Sequence, residues 1–404
     1  MIKKLLAFYF SLLTFSFSLA QSWEPLGEGL QGGGDNLQPV YALCSYNGKL
    51  YAGGVITQAG NIKVRGIACW DGNRWDSLRT SINGYVEAMF VYRNQLCVGG
   101  SFTKAGKKRV NYLARWIDTA GTVPDWYNLG ATFVTLHMEK FTCLSPVKAF
   151  AEYNDQLYVS GDFGPGGCAI NHVGVLKDGK WTTLSSPKCS VNGDTSKADY
   201  SSFTDYTDKG LAVYNDKLCA TGAIVDQNGT GAISKAEDVA TWDSKKSSVG
   251  FLPSKNPTNN PFRTYCFAVY NSQLYAGGSF VSASNKPAKH IAVWDGDHWS
   301  PLLSGVNGEV NTMLVYEGKL YVGGAFDSAG GNPAHAIAVW DGHTWSAVGD
   351  GFTNEGHVAR VRALAIYNGE LYAGGYFTSS GDKPVMNIAR LKLGSAPIRK
   401  NKNG

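Results

Sequence analysis

Basic side chains recur at one kind of place in this sequence. Lys63 and Arg65, then Lys104, Lys107, Lys108 and Arg109, then Lys286, Lys289 and His290, then Lys383 each follow shortly after a glycine-containing apolar run. Cations on connections that face one way form a positive rim able to hold an acidic glycan or a partner's carboxylates. Acids in the neighbouring connections, among them Glu28, Asp35, Asp350 and Glu355, offset that charge, and a solvated loop surface is the competing reading. The ligand-binding candidates are Lys63, Arg65, Lys107, Lys108, Arg109, Lys286, Lys289, His290 and Lys383.

Catalysis has less to work with. The histidines (His137, His172, His290, His298, His335, His343 and His357) are scattered, none in an H-x-H or H-x-x-x-H arrangement, so neither a metal site nor a cofactor is expected. Asp226-Gln227-Asn228-Gly229 begins like a calcium loop but lacks the later carboxylates such a loop needs. No acid, base and nucleophile can be assembled into a catalytic set, and the chain reads as a non-enzyme. Cys143, Cys168 and Cys189 fall in irregular segments, and Cys168 with Cys189 is the preferred disulfide, although sequence alone does not fix connectivity. Cys44, Cys69, Cys97, Cys219 and Cys266 sit in apolar strand-like runs and read as small buried hydrophobes.

The compartment follows from the first residues. Lys3 and Lys4, an apolar stretch from Leu5 to Leu19 and the small-residue pattern Ser18-Leu19-Ala20 make a secretory signal cut after Ala20. The stretch is shorter than the roughly 20 residues a spanning helix requires. Export of this kind places the mature chain outside the cytoplasm: secreted, periplasmic or at the cell surface. Removing two lysines takes the formal charge from +5 to +3, and Arg399, Lys400 and Lys402 near the end hold as much again. The body between is close to neutral, which gives nucleic acid no electrostatic hold.

What must position the rim is a repeat. Its core reads YNGKLYAGG at Tyr46, YRNQLCVGG at Tyr92, YNDQLYVSG at Tyr153, YNDKLCATG at Tyr214, YNSQLYAGG at Tyr270, YEGKLYVGG at Tyr316 and YNGELYAGG at Tyr367. A period near 50 residues suits one blade of a β-propeller. Strand a is the apolar run ending in the tyrosine, such as Val361 to Tyr367, and Asn368-Gly369 supplies the left-handed residues of a tight hairpin. Strand b is LYAGG, strand c is a run such as Ala336 to Trp340, and Asp341-Gly342 is a second hairpin signal before strand d at Trp345 to Val348. The recurring glycines point to close backbone packing, and the position four before each tyrosine is always small: Ala42, Ala88, Ala149, Gly210, Cys266, Thr312 or Ala363.

The seventh unit stops after strand c, at Asn387 to Leu391, while Trp23-Glu24-Pro25-Leu26 at the other end is a strand d with nothing before it. Pairing the two leaves no open sheet edge. The expected fold is therefore all-β: a seven-bladed β-propeller of four-stranded antiparallel blades, closed by the N-terminal strand completing the last blade. It comprises a signal peptide over 1–20, the propeller over 21–394 and a basic tail over 395–404. The turns between a and b and between c and d share one face of the disc. The b-to-c and d-to-a connections share the other, with insertions at 117–146, 185–208 and 223–238.

The doublets Gly53-Gly54, Gly99-Gly100, Gly277-Gly278, Gly323-Gly324 and Gly374-Gly375, followed by Trp75, Trp181, Trp299 and Trp345, resemble the kelch repeat over roughly Trp23 to Leu393. The chain departs from that family in placing W-D-G turns where a tyrosine usually follows and in keeping single glycines at Gly161 and Gly222. Its blades also look like those of the galactose oxidase central domain and of fungal cortical-marker ectodomains. The resemblance implies the fold and leaves function to the loops. The expectation is an exported, monomeric, non-catalytic scaffold recognising a protein or polysaccharide through one face. The alternatives are a glycan-active lyase, hydrolase or oxidase and a structural cell-surface component.

Overall fold

A computed structural model describes residues 21–32, 39–78, 81–110, 112–118, 123–129, 146–161, 173–183, 210–221, 224–225, 233–234, 239–246, 248–252 and 263–393. The leader, the basic tail, Cys143 and the Cys168–Cys189 pairing lie outside them. Every regular element among the described residues is a β-strand, and none of them forms a helix long and apolar enough to cross a membrane.

The sixth unit shows how one sheet is made. Strands Glu309–Tyr316, Lys319–Ala325, Ile337–Trp340 and Trp345–Ala347 pair in that order, all antiparallel. Seven four-stranded sheets of this type occur among the described residues. In one of them the outermost strand is Gln21–Pro25, registered against the carboxyl-terminal strand Ile388–Leu393 so that Gln21 faces Leu393 and Pro25 faces Ala389. The a strands touch one another in chain order: Val40–Tyr46, Tyr85–Tyr92, Val147–Tyr153, Leu211–Tyr214, Thr264–Tyr270, Glu309–Tyr316 and Arg360–Tyr367, the last touching the first.

The repeat's tyrosine and tryptophan bind neighbouring sheets together. Tyr46, Tyr92, Tyr153, Tyr270 and Tyr316 donate their hydroxyls to turn carbonyls of the following sheet (Asn94, Asp155, Asp216, Gly318 and Gly369), and Tyr367 donates to Gly48 at 3.0 Å. On the outside, indole N–H groups point to the preceding sheet: Trp75 to the Leu26 carbonyl and Trp23 to the Val348 carbonyl, both at 2.9 Å. Thus the W-x-x-L segment supplies both donor and acceptor, one for each neighbour. A buried hydroxyl or indole satisfied in this way avoids the penalty of an unmade hydrogen bond.

All seven a-to-b turns adopt the expected two-residue left-handed form, with Asn47 at φ 46° and Gly48 at 69° for example. Of the c-to-d turns, Asp178-Gly179 in the third sheet takes this form too, but the W-D-G turns do not. Trp70 pairs with Trp75, so the turn spans the four residues between them. Asp71 Oδ1 accepts the backbone N–H groups of Asn73 and Arg74 at 2.8 and 2.9 Å, and Asp295 and Asp341 do the same. The aspartate acts as a side-chain turn former rather than as half of a two-residue hairpin.

Those amides and the Thr344 hydroxyl hold the Asp341 carboxyl down to about 2 from its ordinary 3.8. A depressed carboxylate stabilises the fold fully above its unfolded value and loses that contribution as pH falls through the folded one. Asp341→Asn is therefore expected to melt below the parent at pH 6, with the gap closing between about pH 4 and pH 2. Melting curves across that range measure it, and a gap independent of pH contradicts the assignment.

Of the three segments read as insertions, 185–208 lies outside the described residues and the other two carry regular elements. Within 117–146, Asp125–Asn128 is the d strand of the second sheet, and its Trp126 packs on Trp116 at 5.0 Å as Trp75 does on Trp70. Within 223–238, Ile224–Val225 pairs with Ile233–Ser234. Similar two-residue hairpins form in the b-to-c connections of other units, as at Gln58–Ala59 with Ile62–Lys63. Each of four is bridged by the preceding d-to-a connection, through Leu30 to Ala59, Ile82 to Ala105, Val306 to Ala329 and Thr353 to Ser379. These two kinds of connection therefore do share a face.

Candidate functional site: the cavity between the inner strands

The Gly-Gly doublet places the site. In the first sheet Val40 pairs with Gly54 and Ala42 with Gly53, leaving Tyr41 as an extra, bulged residue. The bulge drives backbone against backbone: a Cβ on Gly54 would lie 1.9 Å from the Pro39 carbonyl oxygen. The first glycine of the doublet receives the next sheet instead, a Cβ on Gly53 falling 2.4 Å from Val86 Cγ1 and one on Gly374 2.6 Å from Val40 Cγ1.

The same register shift recurs in five more inner strands. The extra residue is Glu87, Lys148, Tyr265, Asn311 and Arg362 in turn. All six bulged residues, Tyr41 included, line one cavity of about 440 Å³. A bulge bends its strand and re-aims a side chain, which is why bulges gather beside functional sites. Glu309 and Arg360, the first residues of their strands, complete the polar lining, and Ala149, Gly210, Leu211, Cys266 and Phe267 form its smaller and apolar part. Every contribution comes from the end of an inner strand that a d-to-a connection enters.

The lining is mixed in sign. Among the described residues, Lys148, Arg360 and Arg362 stand against Glu87 and Glu309, three cations to two anions, a net +1. Arg360 Nη1 meets Glu309 Oε2 at 3.1 Å, and Ser101 donates to Glu87 Oε1 at 2.9 Å. Lys148 is only 6% exposed. Arg362 lies over the Tyr41 ring at 5.9 Å, and burial, with Arg360 beside it, pulls its guanidinium below the ordinary value. Guanidinium pKa values start so high that the group stays charged. Tyr265 donates its hydroxyl to Ser279 at 2.9 Å, and the Asn311 amide nitrogen is buried without a hydrogen-bond partner.

None of the nine sequence-derived candidates lines this cavity. Lys63, Arg65, Lys107, Arg109, Lys286 and Lys289 are exposed on or beside the b-to-c hairpins. The other three serve the fold. Lys108 donates to Asp125 Oδ2 at 2.7 Å and lies 3.7 Å from the Tyr127 ring, tying its hairpin to strand d. Lys383 bonds Glu24 and Ser22 of the amino-terminal strand. His290 takes a left-handed backbone at φ 63°, and burial lowers its pKa, which favours the uncharged ring.

A signal for the cavity does exist in the sequence. The position five before each tyrosine is Tyr41, Glu87, Lys148, Lys209, Tyr265, Asn311 or Arg362, polar or phenolic in every unit yet different in charge. The position that follows it is small in every unit. Lys209 lies outside the described residues.

Among the described residues no group of histidines, cysteines and carboxylates is placed to hold a metal ion. Cys44, Cys69, Cys97, Cys219 and Cys266 are free thiols. Burial pushes Cys97 and Cys219 up to about 12 and raises Cys266 as well, the opposite of what a nucleophilic thiolate requires.

No family model matches the chain, and no curated protein matches it. Solved structures do. The extracellular domain of a hybrid two component system from B. thetaiotaomicron is 13% identical with a TM-score of 0.52, over 94% of this chain and 42% of that one. The computationally designed Ika8 protein is 14% identical with a TM-score of 0.47, over 90% of this chain and 98% of that one. The WD40 β-propeller domain of Doa1 is 13% identical with a TM-score of 0.45, over 89% and 94%. At these identities the likeness concerns the fold alone. Among the described residues the chain is an all-β protein of repeated four-stranded antiparallel sheets.

Proposed function

We propose that the chain is an exported, non-catalytic binding protein, folded as a closed seven-bladed propeller of kelch-like repeats. Its ligand, a polysaccharide or protein, enters the central cavity from the face that carries the d-to-a connections and the b-to-c hairpins. Closure is supported by the pairing of Gln21–Pro25 with Ile388–Leu393 and by the Tyr367 bond to Gly48. The site reading rests on one observation above all: six β-bulges deliver six polar or phenolic side chains of five kinds into a single cavity. In a repeat protein the shared positions build the scaffold. Positions that vary while facing one cavity are where a ligand can be specified. Cleavage after Ala20 delivers the chain to a compartment where extracellular polymers are available.

The test is a glycan and protein array probed with three forms of the mature chain. Tyr41→Ala with Tyr265→Ala is expected to weaken capture at least about tenfold, a loss of about 1.4 kcal/mol. Lys107→Glu with Arg109→Glu on the exposed hairpin is expected to change it by less than about twofold. The reverse ranking places the site on the rim. Release of shortened or oxidised products from a captured glycan overturns the non-catalytic reading.

A further inference from the structure

The geometry points to a second site, on the outer edge of the first sheet: a groove that takes the lysine side chain of a protein partner, its stem along Ile62 and its ammonium on the Asp76 carboxylate, with Glu28 beside it. This site does not depend on the central cavity.

The molecule carries two filled copies of it. In each b-to-c hairpin one residue pairs with a small buried one: Ile62 with Ala59, Lys108 with Ala105, Lys286 with Ala283, Asn332 with Ala329 and Lys383 with Ser380. Where that residue is Lys108 or Lys383, an acid next to the tryptophan of strand d receives it. Lys108 donates to Asp125 Oδ2 at 2.7 Å and to the Trp126 carbonyl, and Lys383 donates to Glu24 Oε1 and the Ser22 hydroxyl. The first unit keeps the acid and lacks the lysine. Asp76 follows Trp75 as Glu24 follows Trp23, while the hairpin position is Ile62. The Asp76 and Glu28 carboxylates have no hydrogen-bond or ion-pair partner among the described residues.

The space for a lysine is present as well. A groove of about 660 Å³ has Glu28, Asn61, Ile62, Trp75 and Asp76 in its walls, and Trp70, packed on Trp75 at 5.3 Å, lines it too. Gly27, four residues after Trp23, helps to open it: a Cβ there would lie 3.7 Å from Trp70, and the fifth unit has Leu303 at the same place after Trp299. Arg74 also lines the groove, and its guanidinium is turned to Asp71, Nε lying 3.5 Å from Oδ2. A long cation of this kind lays its methylene stem on apolar surface and keeps its charged end on polar groups. Both internal lysines divide their donors between a carboxylate and one further oxygen, which suits the three rotatable N–H groups of an ammonium better than the rigid fork of a guanidinium.

The experiment titrates the mature chain with a capped glycine–lysine–glycine peptide, with the same peptide acetylated on the lysine amine, and with n-butylamine, read by NMR chemical shifts. The lysine peptide is expected to bind about threefold tighter or more than either of the others. Asp76→Asn is expected to remove that preference, and Ile62→Lys, which supplies the missing lysine within the chain, to block the peptide. Should Ile62→Lys fail to fold, Asp76→Asn decides. Equal binding of the acetylated peptide, a preference that survives Asp76→Asn, or no binding of the lysine peptide overturns the site. Binding of n-butylamine as tight as that of the peptide overturns the protein partner and leaves a site for small amines.

Discussion

Replacing Trp23 by alanine is expected to lower the stability of the mature chain by about 3 to 5 kcal/mol, the range for emptying a large aromatic site in a packed core. Trp23 is 1% exposed, its ring lies 4.7 Å from that of Phe352, and Phe352 stacks on Phe377 at 4.0 Å. The residue also carries the amino-terminal strand onto Ile388–Leu393 and donates its indole N–H to Val348. Loss of the side chain removes packing and loosens the strand that covers a sheet edge, and an uncovered edge pairs with other chains. Urea unfolding and size-exclusion chromatography should show a lower midpoint together with self-association. Trp23→Phe keeps most of the packing and loses the hydrogen bond, so about 1 kcal/mol is expected there. Equal effects of the two substitutions contradict the packing argument.

The two glycines of one doublet should respond differently to the same added methyl group. Gly54→Ala sets a Cβ 1.9 Å from the carbonyl oxygen of Pro39, the residue that leads into the bulged strand. Backbone cannot step aside as a side chain can, so a loss of about 3 kcal/mol or more is expected, with the bulge disturbed. Gly53→Ala meets Val86 Cγ1 at 2.4 Å, a side-chain atom of the next sheet. Its cost is about 1 to 3 kcal/mol, and Val86→Ala in the same chain should recover much of it. A double-mutant cycle measures the recovery as a coupling energy. No coupling between positions 53 and 86 means that the two sheets do not meet there.

Much of the scaffold was legible because its signals are local. Seven tyrosines at one phase, each followed by two turn residues and an apolar strand, give the a–b hairpin directly, and all seven turns have the left-handed backbone that Asn-Gly and its equivalents favour. The tyrosine and tryptophan were read as markers of spacing. Their hydrogen bonds to neighbouring sheets became visible only with the sheets in place, because each acceptor is a carbonyl about 45 to 60 residues or more away along the chain. The d strand at Asp125–Asn128 escaped notice because its connection to strand c is longer and lacks the Asp-Gly pair, although Trp126 and Leu129 keep the W-x-x-L pattern.

The site was harder for a physical reason. Looking for function in exposed cations favours loop tips, and here Lys108 and Lys383 are long side chains that brace local structure. The bulged residue lies inside an otherwise apolar strand, and register decides whether such a residue faces a neighbouring sheet or the centre. Its polarity was in the sequence. Its direction depends on a bulge that the glycine doublet permits without announcing.

The central claim is that the amino-terminal strand closes the ring and so gathers the starts of the inner strands around one cavity. Hydrogen–deuterium exchange on the mature chain tests it most directly, read at the backbone amides of Ser22, Trp23 and Glu24 within Gln21–Pro25 and at those of Ile388–Leu393. Closure predicts protection at both, comparable with the outer strands of the other sheets such as Trp345–Ala347. Free exchange of Gln21–Pro25, with Ile388–Leu393 exchanging like an exposed edge, would contradict it.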